Sequence, residues 1–269
     1  MVAATRINDP EVQRIISEAN QGVVEERPSG PILEEPPNTV FQLAAGYMQD
    51  DGAWTKTFEV RELTGRDEEA LARVPDFGRA IALMIRRATV RLGKDPVTDE
   101  RLDSLVAGDW DTILTAIRSV TFGPEIELSP TCDQCHASYE VTVNLMKDLN
   151  IRTANPEDQT WTLQGKRHAY SMTLYTGATQ RRILEAMADS SQTVAALNTE
   201  VIADSITAID GMPVLGLDMI RDLPVPDRRM LLDSIQERRV GPDLQGVKIK
   251  CPTCGHEQSY PLSATALFR

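Results

Sequence analysis

The sequence predicts an α+β protein built of two tandem, diverged modules, and three observations predict it. Stretches in which apolar residues alternate are followed by stretches in which they recur at helical spacing, and this succession occurs twice. Landmarks of the second half follow those of the first at a nearly constant offset. Gly211 lies 118 positions after Gly93 (211 − 93 = 118), and the same shift carries Leu105 onto Leu223, Asp109 onto Asp227, Leu114 onto Leu232, Ile117 onto Ile235 and Gly123-Pro124 onto Gly241-Pro242. Finally, two Cys-x-x-Cys pairs stand 119 apart (251 − 132 = 119), one residue off that register, as a single loop insertion would leave them.

Residues 1–38 differ from the rest. Asp9-Pro10 has the form of a helix start, and Val12, Ile15, Ile16 and Ala19 make a short apolar stripe. An acidic, proline-rich stretch through Pro28, Pro31, Glu34, Glu35, Pro36 and Pro37 follows. It reads either as a disordered tail or as an arm that orders on a partner. The first module is expected over residues 39–150 and the second over 151–269. The first opens with a hairpin turning at Asp50-Asp51-Gly52, and its second strand carries Phe58, Val60 and Leu63. Thr64 is the candidate cap of the helix that follows. Tyr170, Met172, Leu174 and Thr176 repeat that pattern in the second module. Asp109 and Asp227 are candidate caps of two further helices, whose apolar faces are Ile113, Leu114, Ile117 and Leu231, Leu232, Ile235. Gly123-Pro124 and Gly241-Pro242 are read as helix stops. Each is followed by a short strand (residues 125–128; 247–250), a cysteine knuckle and a second strand (139–143; 258–262).

Composition narrows the chemistry. The chain is 41% apolar, which is enough for a core, but only 5% aromatic, so the core rests on Leu, Ile, Val, Ala and Met. A net charge of −12 opposes binding to a phosphate backbone. The basic clusters Arg86, Arg87, Arg91 and Arg228, Arg229, Arg238, Arg239 stand among acidic residues, and read as solvated or protein-contact faces. No apolar run approaches the ~20 residues of a membrane span, and residues 1–11 hold no hydrophobic signal segment. The expected compartment is the cytosol of the cell that makes the protein, where paired cysteines point to metal before disulfide.

The chemistry-bearing pattern is Cys132-Asp133-Gln134-Cys135 with Cys251-Pro252-Thr253-Cys254. Two cysteines three apart on a tight turn grip a metal from one side, and two such knuckles supply the four thiolates of a tetrahedral zinc site. Four protein ligands leave no open coordination position, so the expected role is structural, worth on the order of 10 kcal/mol in apparent binding free energy. His136 and His256 flank the knuckles, as solvent-exposed or outer groups rather than ligands. A redox dithiol is the rival reading, but Gly255 to Pro261 make a poor helix after Cys254, and redox pairs sit where a strand meets a helix. A deaminase site fails because His136-Ala137-Ser138 and His168-Ala169-Tyr170 lack the required glutamate. No phosphate-binding loop or dinucleotide fingerprint is present, and His168 reads as an exposed strand histidine. The expectation is therefore no catalytic residue and no enzyme activity.

Read together, Phe58-Glu59-Val60-Arg61-Glu62-Leu63-Thr64-Gly65-Arg66-Asp67-Glu68-Glu69, then Leu105 to Trp110, Ala116-Ile117-Arg118, Phe122-Gly123 and Cys132-x-x-Cys135, resemble the T-even-type baseplate hub assembly chaperones of tailed phages. Thr176-Gly177 and Cys251-x-x-Cys254 fit the same pattern, which spans roughly residues 40–265. One departure is that Cys132 follows a threonine and Cys135 precedes a histidine, where a Cys-Pro-x-Cys-Gly knuckle would be usual. The departure bears on the shape of the first knuckle, not on its ligands. The resemblance implies a non-enzymatic protein that binds tail or hub subunits during baseplate assembly in the host cytoplasm, or that stays in the virion tail baseplate as a permanent component. An oligomer within a baseplate fits either role, and a zinc-ribbon nucleic-acid binder is the remaining alternative.

Overall fold

In the computed structural model, residues 38–186, 192–262 and 264–268 are described. The chain divides into the units Met1–Glu35 and Pro36–Arg269, and every element below belongs to the second. The apolar stripe and proline-rich stretch read in residues 1–38 lie outside the described residues, except Asn38.

Strand β1 (Asn38–Met48) turns at Asp50–Gly52, with Gly52 at φ +80°, into β2 (Trp54–Arg61). Helix α1 (Gly65–Ala72) follows Thr64, whose backbone N–H and hydroxyl both donate to Asp67. Helix α2 (Phe77–Ala88) starts at Asp76, which accepts from the Arg79 N–H at 2.7 Å. It runs straight into β3 (Thr89–Leu92) and β4 (Asp95–Pro96), which complete an antiparallel sheet in the order β1-β2-β3-β4. Helices α3 (Asp99–Ser104) and α4 (Ala107–Phe122) come next, then a hairpin of β5 (Glu125–Leu128) and β6 (Val141–Asn144).

After β7 (Ile151–Arg152) and a 3-10 turn at Pro156–Gln159, the same order of elements returns. Strands β8 (Thr160–Gln164) and β9 (Ala169–Thr173) precede α5 (Gly177–Ala186) and α6 (Val194–Ser205). Helix α6 runs straight into β10 (Ile206–Ile209), and with β11 (Met212–Pro213) the second sheet has the order β8-β9-β10-β11. Helices α7 (Leu217–Arg221) and α8 (Val225–Arg238) follow, then β12 (Gly241–Pro242), the hairpin β13 (Val247–Lys250) and β14 (Glu257–Tyr260), and α9 (Ala264–Leu267).

Two expectations differ in detail. Asp109 and Asp227 lie in the first turns of α4 and α8, whose N-caps are Val106 and Pro224. Both carboxylates reach instead to the preceding hairpin. Asp109 accepts the N–H groups of Ala45 and Gly46 at 2.9 and 3.0 Å, where β1 is irregular and Gly46 stands at φ +85°. Asp227 accepts the Lys166 N–H at 3.2 Å and the Tyr170 hydroxyl at 2.8 Å. The side chain takes up backbone donors that the strand ladder leaves free, which a buried strand otherwise cannot satisfy. The second difference is that Gly123 does end α4, at φ +87°, whereas α8 ends at Arg238 and Gly241-Pro242 pair with β7 as a short strand.

The main core gathers Phe58, Val60, Ile85, Leu105, Ile113 and Ile117 of the first half. Val247 and Ile249 of the last hairpin join the same core, with Leu262 and Leu267, because β13 alternates buried and exposed positions and lays Val247 and Ile249 on it. Tyr170, Met172, Ile202, Ile220 and Leu231 form a second core. Among the described residues no helix is long and apolar enough to cross a membrane.

Candidate metal centre

The β5–β6 hairpin buries Ile126 and Leu128 and turns Glu125 and Glu127 outward, which fixes its inner face on the main core. The β13–β14 hairpin does the same with Val247 and Ile249. Each hairpin carries its cysteine pair at the tip, and the two tips meet. Their backbones are bonded alike. The Cys132 N–H donates to Ala137 O at 2.9 Å and the His136 N–H to Cys132 O at 2.9 Å. The Cys251 N–H donates to His256 O at 2.8 Å and the Gly255 N–H to Cys251 O at 2.9 Å. The position after each pair takes a left-handed conformation, φ +74° at Gly255 and φ 58° at His136. The histidine thus adopts the turn usually given to glycine, and the unusual sequence of the first knuckle leaves its shape intact.

The four sulfurs lie within 4.8 Å of one another. Cys132 Sγ is 3.6 Å from Cys254 Sγ, and Cys135 Sγ is 3.7 Å from Cys251 Sγ. A tetrahedron with metal–sulfur bonds of about 2.3 Å has edges of about 3.8 Å, so these thiols fit a single ion. The first cysteine of each pair is buried and the second exposed. Burial opposes ionisation of Cys251, but the N–H groups of Cys254 and Thr253 and the neighbouring thiols bring it down to about 6. For Cys254 a backbone hydrogen bond at His256 favours the thiolate, yet burial and the surrounding sulfurs push it up to about 12. The crowded sulfurs oppose one another's ionisation, as expected of negative charges held together. A bound cation removes that conflict, and a soft four-sulfur donor set suits zinc or iron.

A residue that the sequence reading missed holds the tips in register. Gln258, buried in β14, accepts the Asp133 N–H at 3.0 Å through Oε1 and donates through Nε2 to Thr131 O at 3.1 Å. The corresponding position of the first hairpin is Tyr139 (258 − 139 = 119). Its hydroxyl is shielded from solvent without a hydrogen-bond partner among the described residues. A glutamine 125 residues away in sequence gives no local signal of this task.

The other candidates fall elsewhere. His136 is exposed and His256 half-buried, and the group of metal-binding side chains among the described residues consists of the four cysteines alone. His168 is half-exposed and pairs with Asp210 at 2.6 Å. The arginine clusters are largely engaged within the fold. Arg86 meets Asp99 at 3.0 Å, Arg87 meets Asp67 at 2.7 Å and Arg91 meets Glu59 at 2.5 Å. Arg228 donates to Ile220 O, Arg238 lies over the Trp161 ring and Arg239 pairs with Asp111.

The family described as T4 bacteriophage base plate protein matches residues 50–210. The match covers more than half of the chain and takes in Cys132 and Cys135, but ends before Cys251. No curated protein and no solved structure matches the chain. On this match the chain belongs to the T4 bacteriophage base plate protein family.

Proposed function

We propose that this baseplate protein is a non-enzymatic assembly protein of the tail hub. In this reading one structural zinc ion on Cys132, Cys135, Cys251 and Cys254 clamps two diverged copies of a module, one over 39–150 and one over 151–269. The observation that carries the reading is the four-thiol cluster, which joins residues 116 positions apart in a chain of a baseplate family. Four thiolate ligands hold zinc without an open position, so the ion stiffens the scaffold instead of doing chemistry. The repeated order of strands, helices and knuckle supports the duplication. Hub or tail subunits are the partners, met in the host cytoplasm. The acidic net charge and the engaged arginines speak against the zinc-ribbon nucleic-acid reading.

A permanent place in the virion baseplate is the second reading, favoured by the family's own description. Quantitative mass spectrometry of purified particles against the producing lysate separates the two. Abundance in the lysate with absence from particles is the expected outcome for an assembly protein. A fixed small copy number in every particle would make it a virion component, and no association with tail proteins in either fraction would sink both readings.

A further inference from the structure

The two halves differ at one surface. In the first half α4 lies beside β1, and the trough between Phe41 and the helix residues Thr112, Thr115 and Ala116 is roofed by Met146, Ile151 and Pro242 from elsewhere in the chain. The roof comes close because Gly108 has no side chain: a Cβ there would stand 2.0 Å from Val240 O, and one on Gly241 2.5 Å from Gly108 O. Val240 is buried, and Asp111 holds Arg239 beside it. About 200 Å³ of the trough remains.

The 118-residue shift converts its walls one by one. Thr112 becomes Met230, Thr115 becomes Asp233, Ala116 becomes Ser234 and Gly108 becomes Pro226. Leu163 takes the place of Phe41, since Phe41 faces Phe58 across β1–β2 as Leu163 faces Tyr170 across β8–β9. This second trough is open and measures about 570 Å³. Val225 at its mouth is 71% exposed, whereas its counterpart Ala107 is buried. The segment that brings Pro242 to the roof has a counterpart as well: Val240-Gly241-Pro242 shifts onto Phe122-Gly123-Pro124. Both glycines stand at positive φ, +87° at Gly123 where α4 ends and +98° at Gly241 in β12, and Phe122 is 60% exposed. None of that counterpart's residues lines the open trough of its own chain. Among the described residues the chain therefore carries one roofed socket, one open socket and one plug-shaped segment, whose Phe122 is largely exposed with one edge against Phe268 and Arg118 beside its ring.

We propose that a second copy of this chain seats its Phe122-Gly123-Pro124 in the trough of α8 and β8, so that copies associate head to tail. Pro226 in place of Gly108 keeps the incoming backbone farther out, and Phe122, larger than Val240, spans the added distance. Arg229, in place of Asp111, is exposed and has no ion pair among the described residues; Glu125, exposed just beyond the plug, supplies the opposite charge. An interface between different patches continues until a ring closes or a filament grows. The inference rests on the correspondence of the two halves and not on which tail subunit the protein serves.

Sedimentation velocity of the purified full-length chain tests it over a range of concentrations. The wild-type chain is expected to form species larger than a monomer. Phe122→Glu removes the plug, and Val225→Glu blocks the socket while placing a carboxylate in the first turn of α8, where it favours the helix. Both positions are exposed, and unchanged melting of each variant is the check that it folds. Each variant alone is expected to self-associate at least about tenfold more weakly. An equal mixture of the two is expected to give dimers and nothing larger, because one intact plug then meets one intact socket. A monomeric wild-type chain, a variant that still assembles alone, or a mixture that stays monomeric would each overturn the proposal.

Discussion

Asp109 and Asp227 occupy matching positions and do matching work, each tying the first turn of a helix to the hairpin before it. Thr64 and Thr176 also match, but their acid has changed place. Thr64 donates to Asp67 on its own helix, where burial opposes the charge and Arg61, Thr64 and Arg87 overcome it, holding the carboxyl well below the usual range. Thr176 donates its N–H at 2.7 Å to Asp204 on the next helix. Asp109 is the sensitive member of this set. Burial pushes its carboxyl up to about 6, against the N–H groups of Ala45 and Gly46 that favour the charge. Its folded-state value is raised above the ordinary 3.8, so the folded state holds the proton more tightly. The stability it contributes is present below about pH 4 and lost as pH rises through about 6, a change of about 3 kcal/mol. Urea unfolding of wild type and Asp109→Asn, compared from pH 4 to 7, is expected to show the wild type losing about that much relative to the variant. A difference that is flat in pH would show that burial does not govern this carboxyl. The aspartates were legible in the sequence as paired landmarks, but their partners were not, because a helix cap and a tertiary clasp use the same residue type.

At the scale of elements, close approach is set by glycines that sequence periodicity does not distinguish. Gly78 lets α2 meet α5, where an added Cβ would stand 2.2 Å from the Leu184 carbonyl carbon. Gly177 lets α5 start against Trp110, whose indole N–H donates to Leu102 O at 2.7 Å. Gly108 brings α4 against β12. Gly108→Ala is therefore expected to lower the unfolding free energy by about 1–3 kcal/mol, through overpacking against backbone that has little room to yield. Gly65, the first residue of α1, has open space around it, and Gly65→Ala is expected to be neutral or stabilising by up to about 1 kcal/mol. Equal urea midpoints for the two variants would refute this ranking. The strands leading to Leu63 and Leu174, the main helices and the strands flanking both cysteine pairs were readable because each follows from local spacing. The direct passage from α2 into β3 and from α6 into β10 was not, because Ala88-Thr89 and Ser205-Ile206 carry no glycine or proline to mark the change.

At the scale of the whole molecule, the last hairpin belongs to the first core, and the cysteine cluster lies where the chain returns to it. If the proposed ion clamps the two tips, removing it should release this return, since Gln258 and apolar contact would then have to hold the knuckles together. Chelation is expected to lower the melting temperature and to uncouple the β13–β14 hairpin, with about 10 kcal/mol of metal-binding free energy withdrawn from the folded state. Cys251→Ser should melt like the chelated protein and no longer respond to chelator. Elemental analysis is expected to give one zinc per chain, and iron would declare itself by visible absorbance. A wild-type chain whose melt ignores chelator would remove the clamp.

The four cysteines that the fold brings together were legible in the sequence as one candidate site, since two cysteines three residues apart on a turn are constrained by local geometry whatever surrounds them. The order of elements was also written there, in alternation, helical spacing and a nearly constant offset. Only the tertiary structure decided that β13 and β14 complete a core begun some two hundred residues earlier, that Gln258 locks the opposite knuckle, and that one of two matching troughs is roofed while the other stands open. The physical reason is the same in each case. Burial and hydrogen bonding at these places join residues far apart in the chain, and such pairings leave no period, cap or turn for a local reading to find.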